Sequence, residues 1–206
     1  MRILGIDPGY AIVGCAVIDY ENTRFRVVDA RAVTTEPSTA LEGRILSIYQ
    51  DLCLLLDRFR PDAMAIEQLF FTTNQKTVIW VAQARGVVLL AAAQRGVPIY
   101  EYPPLQVNSS VTGYGKAEKR QVMEMTRRML GLEALPKPDD VADAMAVAIC
   151  HGHSAGSGLS AGGRHTGAKA EKGRTPGFSA AVLARNPGLA AQLSGFDKKR
   201  PGRKDG

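Results

Sequence analysis

Four carboxylates stand where short apolar runs end or where a helix begins: Asp7, Glu67, Asp140 and Asp143. Asp7 closes the apolar run 2–6 and opens Asp7-Pro8-Gly9. Glu67 follows Met64-Ala65-Ile66 and precedes Gln68-Leu69-Phe70-Phe71, a place where packing explains an acid poorly. Asp140 and Asp143 are three apart, so both fall on one face of a helix. Sites in open sheets that contain parallel strands gather at strand carboxyl ends. If the runs ending at Asp7 and Glu67 are neighbouring parallel strands, the two acids meet there, and a helix start can add Asp140 and Asp143. Four carboxylates in one cleft repel unless a cation sits among them. Hard oxygen donors with no His or Cys at ligand spacing select Mg²⁺ or Mn²⁺. A metal pair held by carboxylates can activate water and stabilise a negatively charged leaving oxygen. Each acid alone has a plainer role. Asp before Pro-Gly forms turns, and paired Asp at a helix start caps it or complements its dipole. The combination favours the metal site.

The pattern of the chain supplies the elements. Runs 2–6, 13–18 and 24–33 are predicted strands, joined closely enough for an antiparallel meander. Residues 41–59 carry apolar positions at helical period, with Ser38 or Thr39 as the expected N-cap. Residues 63–66 and 97–102 are two further strands, and 76–95 between them is a long apolar helix stopped by Gly96. Helices are predicted at 117–130 and from Pro138 to His151. A meander followed by alternating helices and strands makes a mixed α/β sheet covered on both faces. The 76–95 helix is apolar on most faces. Burial within the domain and pairing with a second copy across a two-fold axis both account for that.

Charge divides the chain. Its 206 residues carry 26 Lys and Arg against 20 Asp and Glu, a net of +6. Residues 1–153 are nearly balanced at −1, whereas 154–206 hold +7 and 11 of the 21 glycines. The first part is therefore read as one globular domain and the second as a basic Gly/Ala-rich tail, expected to be disordered. The tail reads as a solvated linker and, compatibly with that, as a basic arm that adds non-specific affinity for nucleic acid. Within it, 178–193 has enough apolar residues for a short helix or a partner-binding motif. Two divalent ions would turn the first part from −1 to +3, a better charge for meeting phosphates. The three scattered cysteines fit a reducing compartment. The start of the chain lacks a secretory pattern, and the longest apolar stretch, 86–93, is too short to span a bilayer. The expected setting is cytoplasmic, with no membrane partner.

Gly5-Ile6-Asp7-Pro8-Gly9, Ala65-Ile66-Glu67-Gln68 and Asp140-Val141-Ala142-Asp143-Ala144, in this order, resemble the RuvC family, the Holliday-junction resolving endonucleases of bacteria. Gln83-Ala84-Arg85-Gly86, Gly113-Tyr114-Gly115-Lys116-Ala117-Glu118-Lys119 and His151-Gly152-His153 extend the likeness over residues 1–153. The resemblance implies a ribonuclease-H-like fold, with a mixed five-stranded sheet flanked by helices on both faces. It implies a homodimer with two active sites and symmetric Mg²⁺-dependent nicking of four-way junction DNA in recombination and repair. It also implies two ions per site, with Mn²⁺ as a substitute, and partnership with the RuvA–RuvB branch-migration complex. By motif match, Asp7, Glu67, Asp140 and Asp143 are the metal ligands. Lys119 lies close to the phosphate and neutralises developing charge; without the family match, it reads as a surface ion-pair partner.

Contacts to DNA are expected from Phe70, as an aromatic wedge between bases, and from Lys76, Arg85 and Lys116 at backbone phosphates. Phe71 is wedge or core. The chain departs from the family at Asn108-Ser109-Ser110, where relatives usually have Lys-Gln after the preceding Gln-Val. Asn108 can donate a hydrogen bond to phosphate but carries no charge. Slower cleavage, or compensation by Lys116, is expected. The competing functions are a junction-binding module with weakened cleavage and another ribonuclease-H-like nuclease acting on RNA. A family of ribosomal RNA maturation shares the Gly-Ile-Asp-Pro-Gly opening. The actin-like ATPases also open with Asp-x-Gly, but about 150 residues cannot hold their second nucleotide-binding half.

Overall fold

The computed structural model describes residues 1–69, 75–134, 136–156 and 164–165. These belong to a compact unit, Met1–Ala170, and a second unit, Glu171–Gly206, lies outside the described residues. Strands β1 (Arg2–Asp7), β2 (Ile12–Glu21) and β3 (Arg24–Thr34) form the expected antiparallel meander. Next come α1 (Leu41–Phe59), β4 (Ala63–Glu67), α2 (Gln75–Gln94) and β5 (Ile99–Tyr102). Helices α3 (Pro104–Thr112), α4 (Lys119–Met129) and α5 (Asp139–Gly156) follow. The strand order is β3-β2-β1-β4-β5, with a short sixth strand beyond β5, and both β1–β4 and β4–β5 are parallel. No helix among the described residues is long and apolar enough to cross a membrane.

Four details differ from the sequence-based expectation. The sheet has a sixth strand, β6 (Arg164–His165), antiparallel to β5 at the edge and drawn from the segment expected to be a disordered tail. The last helix continues to Gly156, past the expected end of the domain at 153. Helix α3 was not predicted. Its Pro104 occupies the first turn, where a missing N–H costs nothing, and Gly113 ends it at φ 79°. The N-cap of α1 is Ala40 with no side-chain cap, one residue past Thr39, whose N–H donates to the Glu36 carbonyl at 3.0 Å in the preceding turn.

Strand alternation decides which side chains reach which layer. Leu4, Ile6, Met64 and Ile66 point into a core shared with α1 and α2. Ile3, Ala16 and Ala65 point into the opposite core, which contains α3, α4 and α5 residues. Counting on by two from Gly5 and Ala65, Asp7 and Glu67 fall on the α5 side, each as the last residue of its strand.

Candidate active site

Glycine sets how closely α5 approaches. A Cβ on Gly5 would lie 2.1 Å from the Ala144 carbonyl oxygen, and one on Gly14 would lie 1.9 Å from that of Asp140. Gly14 is paired across the ladder with Asp7, so the first turn of α5 rests directly over that carboxylate. This contact carries Asp140 and Asp143 to the ends of β1 and β4. Helix α4 supplies the cation. Glu118 caps it, with the Glu118 N–H donating to Gln121 Oε1 at 3.1 Å and the Glu118 side chain accepting in return, so Lys119 is its first residue. A lysine at the positive end of a helix is unfavourable for the helix dipole. Lys119 is held there by carboxylates instead, with Nζ 3.1 Å from Asp143 and 3.4 Å from Asp139.

The acids respond to their burial and to one another. Asp7 is pushed up to about 7, first by burial and then by the charges of Asp143, Glu67 and Asp140, with Lys119 opposing. Glu67 also rises to about 7, through burial and then Asp143. Asp143 is raised by burial despite its hydrogen bond from Lys119. On Lys119, burial opposes the charge, but the bonds to Asp143 and Asp139 prevail and raise it. As the side chains stand, no three acids, histidines or cysteines among the described residues close on one ion position. The donor set nevertheless fits a hard dication. It consists of oxygens and carries more negative charge than Lys119 offsets, and burial together with neighbouring acids pushes Asp7 and Glu67 up to about 7.

These shifts predict how pH and metal act on stability. An unfolded Asp titrates near 3.9, well below Asp7 in the folded protein. Between the two values the folded state binds the extra proton, so stability is full below the unfolded value and is lost as pH rises through about 7. Burial lowers His151 to about 4, which gives the opposite slope below about 6.5. The clean window is therefore pH 6.5 to 8. In EDTA, thermal melting is expected to fall across it by an amount on the order of 1 kcal/mol, and Mg²⁺ should restore more stability at pH 8 than at pH 6.5. A metal-free melt that rises over this window would contradict the arrangement.

The other candidates fall elsewhere. Arg85, expected at phosphate, is instead paired with Glu101 of β5 at 2.8 Å, with side-chain exposures of 14% and 15%. It lies beside buried Ala84 on the inner side of α2, where an acid on the adjoining strand end takes its charge. Asn108 turns its amide to the Gly115 carbonyl at 3.2 Å, clamping the loop that carries exposed Lys116. Lys76 sits in the first turn of α2 by its backbone. Its side chain, and Phe70 and Phe71, lie outside the described residues.

The family model described as crossover junction endodeoxyribonuclease RuvC matches residues 3–151. A protein of that name from Ruminiclostridium cellulolyticum is 55% identical over 154 residues, covering 75% of this chain and 93% of the relative. Two solved structures show the same architecture at 37% identity. Thermus thermophilus RuvC has a TM-score of 0.72, covering 77% of this chain and 97% of its own. T. thermophilus RuvC in complex with Holliday junction substrate has a TM-score of 0.73, covering 77% and 96%. On the match of residues 3–151 and a relative more than half identical, the chain belongs to the RuvC family of crossover junction endodeoxyribonucleases.

Proposed function

We propose that this chain resolves four-way DNA junctions in recombination and repair, by symmetric divalent-metal-dependent hydrolysis of phosphodiesters. The observation that carries this is the carboxylate group itself. Asp7 and Glu67 end parallel neighbouring strands on one face of the sheet, and the first turn of α5 brings Asp140 and Asp143 to them. Members of this family are metal-dependent, and the oxygen-only donor set favours two Mg²⁺ per site, with Mn²⁺ as a substitute. The four acids hold the ions and need not touch DNA. Bound metal would supply an activated water and charge stabilisation at the leaving oxygen. Lys119 stands beside Asp143 to neutralise charge on the phosphate, and Lys116 takes the backbone contact that uncharged Asn108 cannot make.

The homodimer reading is supported by α2, where Ile79 and Leu90 are 57% and 49% exposed and a side chain on Gly86 would meet nothing within 4 Å. Such an apolar, close-approach face suits a second α2. The reading extends to a cytoplasmic setting and to the RuvA–RuvB complex as partner, both resting on family membership. The nuclease domain then comprises residues 1–153 together with the end of α5 and β6, and the rest of the basic segment is an accessory arm on DNA.

The test uses a synthetic mobile four-way junction, a linear duplex of the same sequence and an RNA–DNA hybrid, each with Mg²⁺, Ca²⁺ or EDTA. Paired nicks at symmetric positions, only on the junction and only with Mg²⁺, are expected. Tight junction binding without nicks under Mg²⁺ would make the chain a binding module. Cleavage confined to the hybrid would make it an RNA-processing nuclease.

A further inference from the structure

Trp80 is the only tryptophan of the chain and stands 40% exposed in the second turn of α2. Its ring meets Tyr10 edge to face, with centroids 5.1 Å apart and planes at 61°. Tyr10 lies in the loop between β1 and β2, three residues past Asp7, and the Arg44 guanidinium sits over its ring at 4.6 Å. Thr35 ties this cluster down. Its hydroxyl donates to the Tyr10 carbonyl at 2.9 Å and accepts from Arg44 Nε at 2.8 Å. Arg44 forms no ion pair with a carboxylate among the described residues.

Topology places the cluster at the carboxylate edge of the sheet. β1 and β4 are parallel, and β3, antiparallel to β2, runs the same way as β1. The loop after β1, the start of α1 after β3 and the start of α2 after β4 therefore all emerge at the edge where Asp7 and Glu67 end. Trp80 packs on Tyr10 with one part of its ring and leaves the rest open to solvent. Here an aromatic pair is held rigid, part open to solvent, with a cation against it and no acid paired to that cation. That combination suits a nucleobase with its adjoining phosphate: an exposed ring to stack on and a charge to meet the anion.

We propose that Trp80, backed by Tyr10 and Arg44, is a stacking platform for an unstacked base of DNA lying across this edge. The proposal rests on the nuclease reading and adds a base contact to it. Every base has a π-face, so the platform holds substrate without selecting sequence.

The lone tryptophan makes a direct test. Full-length protein is titrated with a four-way junction in Ca²⁺ while its emission and acrylamide quenching are followed, and anisotropy of a dye-labelled junction reports binding in parallel. Emission is expected to fall by roughly half or more at saturation, and acrylamide access with it. Trp80→Ala is expected to weaken junction affinity about 5- to 50-fold with unchanged sedimentation, and Trp80→Phe to keep most of it. Saturating anisotropy with unchanged emission would overturn the platform and leave the nuclease reading standing. Anisotropy that stays flat would overturn both. If Trp80→Ala instead changes the oligomeric state, Trp80 belongs to a contact between copies and the platform falls.

Discussion

Asp7→Asn is expected to lower junction nicking by at least about 10³-fold while raising the metal-free melting temperature at pH 8. The two effects have one cause. Asp7 is buried among Asp143, Glu67 and Asp140, and its carboxyl is driven up to about 7. At pH 8 the folded protein is forced to hold that charge. The amide keeps the volume and removes the buried charge with its desolvation cost and repulsion, worth about 1–2 kcal/mol, or roughly 2–8 °C in a domain of this size. It also removes a hard anionic ligand, so Mg²⁺ should no longer raise the melt as it does in wild type. Junction affinity should hold or improve, since one fewer negative charge faces the phosphates. Glu67→Gln is expected to follow the same pattern, because burial and Asp143 raise it likewise. The plainer role for an Asp before Pro-Gly, a turn former, predicts the reverse. In that case stability would drop and cleavage would fall only as far as folding does. Full activity in Asp7→Asn would remove the residue from the site.

The acids were legible in the sequence because each sits at the end of an element, where a local pattern tells which face it takes. Met64-Ala65-Ile66-Glu67 and Ile3-Leu4-Gly5-Ile6-Asp7 alternate between the two cores, and that alternation puts each acid on the face of Ala65 or Gly5, which α5 covers in the fold. Arg85 was not legible, because the acid that claims it, Glu101, lies on another element. Nothing near Arg85 in the chain announces a buried ion pair. Asn108 likewise reads as a phosphate donor until the loop that folds back offers it the Gly115 carbonyl. The Tyr10, Arg44 and Trp80 cluster comes from three elements that meet only in the folded sheet. In the fold, α3 was hidden by Pro103-Pro104 and Asn108-Ser109-Ser110, which are poor helix formers in an interior. The signals that do mark it, Pro in the first turn and Gly after the last, were present in the sequence.

Two glycines carry the second large prediction. Gly5 and Gly14 are interior strand positions, a place where glycine often marks close backbone approach. Gly5 lies under the middle of α5, where a Cβ would come within 2.1 Å of the Ala144 oxygen and 2.9 Å of the Ala148 Cβ. Relief there has to come from strain in β1 and the middle turns of α5, which are packed on both sides, so Gly5→Ala is expected to cost about 3 kcal/mol or more, roughly 6–12 °C of melting temperature. Gly14 lies under the first turn, against the Asp140 carbonyl. A helix end can lift where its middle cannot, so Gly14→Ala should lose less stability, about 1–3 kcal/mol. Lifting that turn carries Asp140 away from Asp7, and a displacement of about 1 Å at a reacting centre costs on the order of 10²-fold in rate. Thermal melts paired with nicking rates on folded protein would separate the two. The expected result is a crossed pattern: Gly5→Ala weaker in stability, and Gly14→Ala weaker in cleavage per folded molecule. Equal loss of both properties in the two variants would mean that α5 moves as one rigid body and that its first turn has no separate role in holding Asp140.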